Sequence, residues 1–320
     1  MPLLAGVGRG PRLSFMRVLP RSAGFGIQFG SETGERHPSS HLAIPVLSGA
    51  EGETLFAGLN PENRAGSFDL FSAGDWLVGR CIVPQSPTFT LQVEGIYTEL
   101  LALTAARGLH AVRIWNYVPE INSEGAEGLE TYRTFCRGRS LAFERAGWTG
   151  PLPAASAVGG APGMLTVVFA ASRERPLARE NPEQVPAFEY PADYGPRPPS
   201  FSRAMQVTAD GQRWTFISGT AAIKGHASQS IGDFAGQLAC ALDNLSLISR
   251  ACGLGDRLGA DAPAPMDRHF KIYLRRAADL DLARSVMQCE WLRPTDHVCW
   301  LHTDICRAEL LVEIEATVAR

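Results

Sequence analysis

The C-terminal residues carry the pattern richest in possible chemistry. In Leu311-Val312-Glu313-Ile314-Glu315-Ala316-Thr317-Val318 the apolar residues 312, 314, 316 and 318 alternate with Glu313, Glu315 and Thr317. A period of two puts the three polar side chains on one face of a strand. Such a face either meets solvent, leaving ordinary surface carboxylates, or faces an enclosed cleft, where a carboxyl group can keep its proton near neutral pH and act as an acid. Alternation serves both readings. A second cluster is cationic: Arg133, Arg137, Arg139 and Arg145 fall on or near one predicted helix. Positions 133 and 137 are neighbours at i,i+4, close enough to repel unless an acid or anion intervenes. Solvated helix-face arginines are one reading, and a site for a small dianion is the other.

Two weaker patterns point nowhere specific. His297, Cys299, His302 and Cys306 form a loose metal-like set, but 297 and 299 share one strand face while 302 shares the other with Asp304 and Cys306. Four ligands would converge only with a bend, so packed cysteines and surface histidines are expected and no metal. Gly6-Val7-Gly8-Arg9-Gly10 does not extend to G-x-G-x-x-G, no strand precedes it, and no Gly-Lys-Ser/Thr occurs, so no nucleotide cofactor is expected.

The elements that must hold these residues fall into two similar successions. In the first half the pattern predicts a helix from about Thr90 to Arg107, a strand from Leu109 to Trp115, a helix from about Glu127 to Glu144 and a strand from Met164 to Ala170. In the second, Trp214 to Ile217 alternates as a strand. Ile231, Phe234, Leu238, Ala241, Leu242, Leu245, Ile248 and Cys252 then recur at helical steps, with Ser230 and Asp233 as the start and Gly253 as the stop. A strand at Phe270 to Leu274, a helix from about Asp279 to Leu292, and strands at about His297 to Cys306 and Leu311 to Val318 complete the chain. Seven prolines between Ala171 and Arg203 mark a linker or a long ordered crossover. The expected fold is α+β, two tandem mixed sheets each backed by two helices, divided as 1–175, 176–202 and 203–320.

Composition narrows the partners. The chain has 320 residues, 45% of them hydrophobic, and a formal net charge of −3, which disfavours nucleic acid and anionic membranes because either needs a clustered cationic field. Of its 30 basic residues only Lys224 and Lys271 are lysine. A coding bias and a need for forked guanidiniums that grip carboxylates both explain that excess. The seven cysteines include no C-x-x-C pair, which suits a reducing cytoplasm. No apolar run is long enough to span a bilayer. Arg9, Arg12, Arg17 and Arg21 precede the first acid, Glu32, a pattern that fits a transit peptide or an irregular N-terminus.

Several stretches resemble known families. Phe216-Ile217-Ser218-Gly219-Thr220-Ala221, the helix stretch from Gly232-Asp233 to Leu242-Asp243-Asn244-Leu245, and Val312-Glu313-Ile314-Glu315-Ala316 resemble the reactive-intermediate deaminase superfamily, whose sheet backed by two helices places sites at a subunit cleft. More closely, Gly219-Thr220-Ala221 with Gly225-His226-Ala227-Ser228, Cys136-Arg137-Gly138-Arg139, Tyr194-Gly195-Pro196-Arg197 and Asp304-Ile305-Cys306-Arg307 are similar to the chorismatases. The resemblance covers most of the chain after about residue 65 and is densest from Tyr190 onward.

That resemblance implies a C-terminal unit of deaminase type and a cofactor-free enzyme that removes the enolpyruvyl group of chorismate as pyruvate. One branch of the family leaves a dihydroxycyclohexadiene acid and another 3-hydroxybenzoate, in some relatives with 4-hydroxybenzoate. Gly219 and Cys306 match the 3-hydroxybenzoate branch, the hydrolytic branch tending to Ala at both. Glu313 matches the catalytic glutamate, and Cys306 would shape the pocket or assist ring opening. Arg137 and Arg139 or Arg203, with Tyr194 and the Gly219-Thr220 strand, are the candidates for holding substrate. The alternatives are the hydrolytic reaction and a relative that binds small carboxylates or hydrolyses imines. A monomer or small homo-oligomer is expected.

Overall fold

The computed structural model describes residues 25–30, 40–56, 58–262 and 266–320. The N-terminal arginines 9, 12, 17 and 21, the glycine run at 6–10 and Glu32 lie outside them. Along the chain, β1 (Phe25–Phe29), β2 (Ser40–Leu42), β3 (Val46–Gly49), β4 (Gly52–Phe56), β5 (Asn60–Pro61), β6 (Asp69–Ala73) and β7 (Trp76–Pro84) precede α1 (Phe89–Ala106). Then come β8 (His110–Val118), α2 (Thr131–Arg145), β9 (Ala154–Gly159), β10 (Met164–Ser172) and β11 (Leu177–Arg179). The second half holds β12 (Ala204–Ala209), β13 (Gln212–Ala221), the short hairpin β14 (Ile223–Lys224) and β15 (Ala227–Ser228), and α3 (Phe234–Ala251). It ends with β16 (Asp267–Leu274), α4 (Leu280–Glu290), β17 (His297–His302) and β18 (Val312–Ala319).

Two mixed sheets organise these elements, as the α+β expectation required. The first has the order β5-β6-β7-β10-β8-β9 and the second β11-β12-β13-β18-β16-β17-β3. Strand alternation divides the core into layers. On β10, Val167, Phe169 and Ala171 pack with Val93, Tyr97, Leu100 and Phe135 of the helices. Val168 and Ala170, facing the other way, join Trp115, Met205, Phe216 and Tyr273 between the sheets. On β18, Ile314, Ala316 and Val318 meet Leu238, Leu245 and Met287 of α3 and α4. Its polar face therefore points into the space between the sheets, and every residue of the strand is buried. Of the two readings of Glu313 and Glu315, the enclosed one holds.

Several boundaries differ from the sequence reading. The strand expected to reach Cys306 stops at His302, because Thr303 Oγ1 donates to Gly159 O at 2.9 Å and Ile305 bridges to Val158, drawing the chain across to the first sheet. The metal-like set is thereby dispersed. His297 Nε2 contacts Gly52 O at 2.6 Å, His302 Nε2 contacts Arg275 O at 3.1 Å, and Cys306 lies beside Glu313. The proline-rich segment is an ordered crossover: Asn181 Nδ2 donates to Asn244 O at 3.3 Å and Gln184 Nε2 to Ile223 O at 2.8 Å. From the N-terminal stretch, β3 pairs with β17 in the second sheet, and β4 pairs with β1 in a separate three-stranded sheet, β2-β1-β4.

Gly138, inside α2, lets that helix approach α1. A Cβ there would lie 2.4 Å from Thr90 O and 2.9 Å from Val93 Cβ. Glycine costs a helix interior about 1 kcal/mol relative to alanine, so propensity alone favours Gly138→Ala. The clash with fixed backbone outweighs it, and this variant is expected to lose about 1–3 kcal/mol, an overpacking penalty. Thermal denaturation checks this, since an unchanged or raised Tm contradicts the close approach.

Candidate active site

Where the two sheets meet, β9 of the first lies against β13 of the second, and Ser218 ties them. Its Oγ donates to Ser202 O at 2.6 Å and accepts from Ala155 N at 2.9 Å. The register between β13 and β18 shifts between Ile217 and Thr220. In that irregular turn of strand Gly219 faces Glu313, and a Cβ at 219 would fall 2.0 Å from Glu313 Oε1. A cavity of about 610 Å³ opens here. Glu313, Gly219 and Ala221 form its floor, and Ala155, Ser156 and Ala157 of β9 one wall. Tyr132, Arg133 and Arg139 of α2 line it, with Tyr190 and Tyr194 of the crossover and Arg203 just after it. Cys306, Arg307 and Glu309 contribute from the segment before β18.

Glu313 is 3% exposed, and among the described residues its Oε1 has no hydrogen-bond partner. Cys306 Sγ donates to Oε2 at 3.8 Å. Burial, then the nearby Glu315, push its pKa up to about 8, while Arg113, the Cys306 thiol and Arg203 oppose the rise. The carboxyl group thus holds a proton at neutral pH with one oxygen bare. Burial, and next the Glu313 carboxyl, also push the Cys306 thiol well above its ordinary range, so Cys306 faces the cavity as a neutral thiol.

Glu315, two residues on and on the same face, behaves oppositely. It accepts from Arg113 Nη2 at 2.6 Å and from Trp115 Nε1 at 3.0 Å, and pairs with Lys271 Nζ at 2.6 Å. Burial acts to raise its pKa, but Lys271 and Arg113 prevail and hold it below the usual carboxylate range. Two neighbouring carboxyl groups pushed apart in this way form an acid beside a permanent anion.

The opposite wall is cationic. Arg203, 6% exposed, donates from Nη2 to Tyr190 Oη at 2.7 Å and stacks over the Tyr190 and Phe201 rings. Arg139 is fully enclosed over the Phe135 ring. The Nε of each is buried without a partner among the described residues. Arg307 lies 3.9 Å from the Tyr194 ring centroid, and Tyr194 Oη meets His226 Nδ1 at 3.1 Å.

Of the residues singled out from sequence, Glu313, Cys306, Gly219, Arg139, Arg203 and Tyr194 converge on the cavity. Arg137 does not line it: its guanidinium donates to Thr90 Oγ1 and pairs with Glu127. Helix geometry separates 137 from 139 by about 200° around the axis, so both cannot serve one pocket. Thr220 also points elsewhere, its hydroxyl donating to Ser218 O at 2.9 Å. Tyr190, Tyr132 and Glu309 escaped the sequence reading. For Arg307 the available signal was its place beside Cys306 in Asp304-Ile305-Cys306-Arg307.

A family model described as "Chorismatase FkbO/Hyg5-like, N-terminal" matches residues 57–171. A chorismatase from Streptomyces hygroscopicus is 40% identical over 250 residues, spanning 76% of this chain and 72% of that protein. A 3-hydroxybenzoate synthase from the same organism is 36% identical over 244 residues, spanning 74% and 72%. A chorismatase crystal structure matches with a TM-score of 0.78 at 32% identity, covering 95% of this chain and 96% of that one.

The raised pKa of Glu313 has a thermodynamic signature. Between the ordinary value of 4.5 and about 8 the folded chain retains a proton that the unfolded chain releases. Rising pH therefore disfavours folding across that window, by on the order of 3 kcal/mol at pH 7. Glu313→Gln abolishes the titration, so its Tm is expected to exceed that of the wild type by a few degrees at pH 7 and to match it near pH 4. A Tm difference independent of pH would exclude a protonated Glu313.

Proposed function

The chain belongs to the chorismatase family, and on that premise we propose that it converts chorismate to 3-hydroxybenzoate and pyruvate. The observation that carries the reading is the buried Glu313 with its unpartnered Oε1, set between Gly219 and Cys306 under an arginine-lined wall, where burial raises its pKa.

The chemistry follows from what a neutral carboxyl group can do to an enol ether. Glu313 gives its proton to the terminal methylene, forming an oxocarbenium ion and making the side chain a leaving group. The neighbouring ring hydroxyl attacks the carbon that bears the ether. The ring carbon–oxygen bond breaks, its electrons complete the carbonyl of pyruvate, and the hydroxyl proton replaces the one that Glu313 spent. The strained oxide opens at its bond to the carbon that bore the hydroxyl; the other oxide carbon loses its hydrogen as a proton and the freed oxygen takes one up, so the ring becomes an aromatic phenol. No water enters, so substrate and products balance. The internal nucleophile has the high effective concentration of a group held next to its target. The neutral Cys306 thiol borders the reacting ring and excludes water from it.

Arg203 and Arg139, each with an unpartnered Nε, are the proposed holders of the two carboxylates, with Tyr194 at the wall. Arg137 we assign to fastening α2 to Thr90 and Glu127, and Thr220 to fastening the irregular strand at Ser218. Gly219 leaves room for the Glu313 carboxyl group and so sets where the proton is delivered. The seven cysteines are free, which supports a cytoplasmic location. We retain the division 1–175, 176–202 and 203–320 for the two units and crossover, with β3, from the first stretch of chain, joining the second sheet.

Chromatography of products from chorismate tests the reading. Glu313→Gln is expected to lose turnover by about a hundredfold or more, and near-full turnover would remove Glu313 from the mechanism. The double variant Gly219→Ala, Cys306→Ala is expected to release dihydroxycyclohexadiene carboxylate with pyruvate. If 3-hydroxybenzoate stayed the sole aromatic or diene product, these positions would not select the outcome. No pyruvate from the wild type would overturn the reading as a whole.

A further inference from the structure

Behind Glu313 the two sheets enclose four more charges. Lys271 of β16 stands opposite Glu315 in the strand register, as Tyr273 stands opposite Glu313. Its ammonium pairs with Glu315 at 2.6 Å and also with Glu53 of β4, and sits 5.0 Å over the Trp115 ring. Arg113 of β8 pairs with Glu315 at 2.6 Å and donates to Ser156 Oγ at 3.0 Å. All four are at most 4% exposed. Two cations face two carboxylates, so the cluster is neutral and closed.

We infer that Glu53, brought from the N-terminal stretch by β4, is a positioning residue for the acid: by occupying Lys271 it leaves the enclosed cluster with no spare positive charge to draw an anion onto Glu313. This rests on reading Glu313 as the proton donor. The other charged and titratable groups around Glu313 do not replace Glu53. Tyr273 and Tyr117 are buried phenols held neutral, their pKa values raised by burial. Cys306 is a neutral thiol, and Glu309 belongs to the cavity rim, where it accepts from Ser228 Oγ at 2.7 Å. Arg203, Arg139 and Arg307 line the open side, where a bound dicarboxylate would match them. His269, beyond Glu53 at 4.0 Å, has its pKa lowered, chiefly by burial, and adds no charge at neutral pH.

Without the Glu53 carboxylate, Lys271 and Arg113 would share Glu315 alone, and the excess positive charge would favour ionised Glu313. At a separation of about 10 Å and an effective dielectric constant of about 20, one charge is worth about one pH unit. Glu53→Gln is therefore expected to move the alkaline limb of the pH–kcat profile down by about one unit, with turnover recovered at lower pH and KM for chorismate unchanged. Glu53→Gln combined with Lys271→Met removes one charge of each sign and is expected to return the limb to its wild-type position. A merely structural role for Glu53 would not produce that reversal.

Infrared titration of the protonated-carboxyl stretch that disappears in Glu313→Gln reads the same shift without turnover. A band and limb unmoved in Glu53→Gln, or a double variant that fails to restore them, would overturn the inference. If Glu313→Gln kept its turnover while the band shifted as expected, the proton-donor reading would fall and the charge coupling would stand.

Discussion

Two sheets that close over the polar face of β18 must neutralise the charge they enclose, because each ion taken out of water costs several kcal/mol unless a partner repays it. This constraint governs the centre of the molecule. Glu315, Lys271, Arg113 and Glu53 meet it by pairing. Glu313 meets it by staying protonated, since among the described residues no cation pairs with its carboxyl group and Oε1 has no partner. The difference between residues 313 and 315 is set across the ladder: one stands opposite a tyrosine and the other opposite a lysine. An acid beside a permanent anion is therefore a product of strand register.

How much of this could be read in advance depended on which physical signal carried it. Helices α1, α3 and α4 and strands β16 and β18 advertise themselves by period, and the structure places them within a few residues of the expected bounds. For α2 the expected start was four residues early. Strand β9 was missed because Ala154-Ala155-Ser156-Ala157-Val158-Gly159 is buried on both faces and has no alternation to show. For β18 the period gave the strand and the shared face of the glutamates. What covers that face is a tertiary fact, decided by β8 and β4 from distant sequence. The role of Glu53 was unreadable for the same reason, since Lys271 lies 218 positions away in the chain.

The crossover shows the limit of composition. Its prolines allow no helix longer than the single turns at Ala187–Glu189 and Ala192–Tyr194, yet they do not reveal whether the segment wanders or docks. Docking is decided by contacts at its ends and middle: Asn181 to Asn244, Gln184 to Ile223, and Tyr190 to Arg203. Once fixed, it brings Tyr190, Tyr194 and Arg203 to the cavity from outside either sheet. A segment that reads as a spacer supplies much of the cavity wall.

The arginine excess divides in the same light. Many guanidiniums are frame: Arg268 pairs with Asp296 while donating to Trp291 O at 2.7 Å and Arg257 O at 2.8 Å. Arg275 is frame with a consequence for the site. It donates to Leu310 O at 2.7 Å, Asn122 Oδ1 at 3.0 Å, and Ile305 O and Arg307 O at 3.1 Å, and pairs with Asp304 at 2.5 Å. That single planar fork holds both flanks of Cys306 and fixes the segment that sets its thiol against Glu313. Lys271, by contrast, must bridge two carboxylates from within the sheet, a task for a compact cation with three donors and not for a fork. One of only two lysines in the chain stands where a point charge serves better.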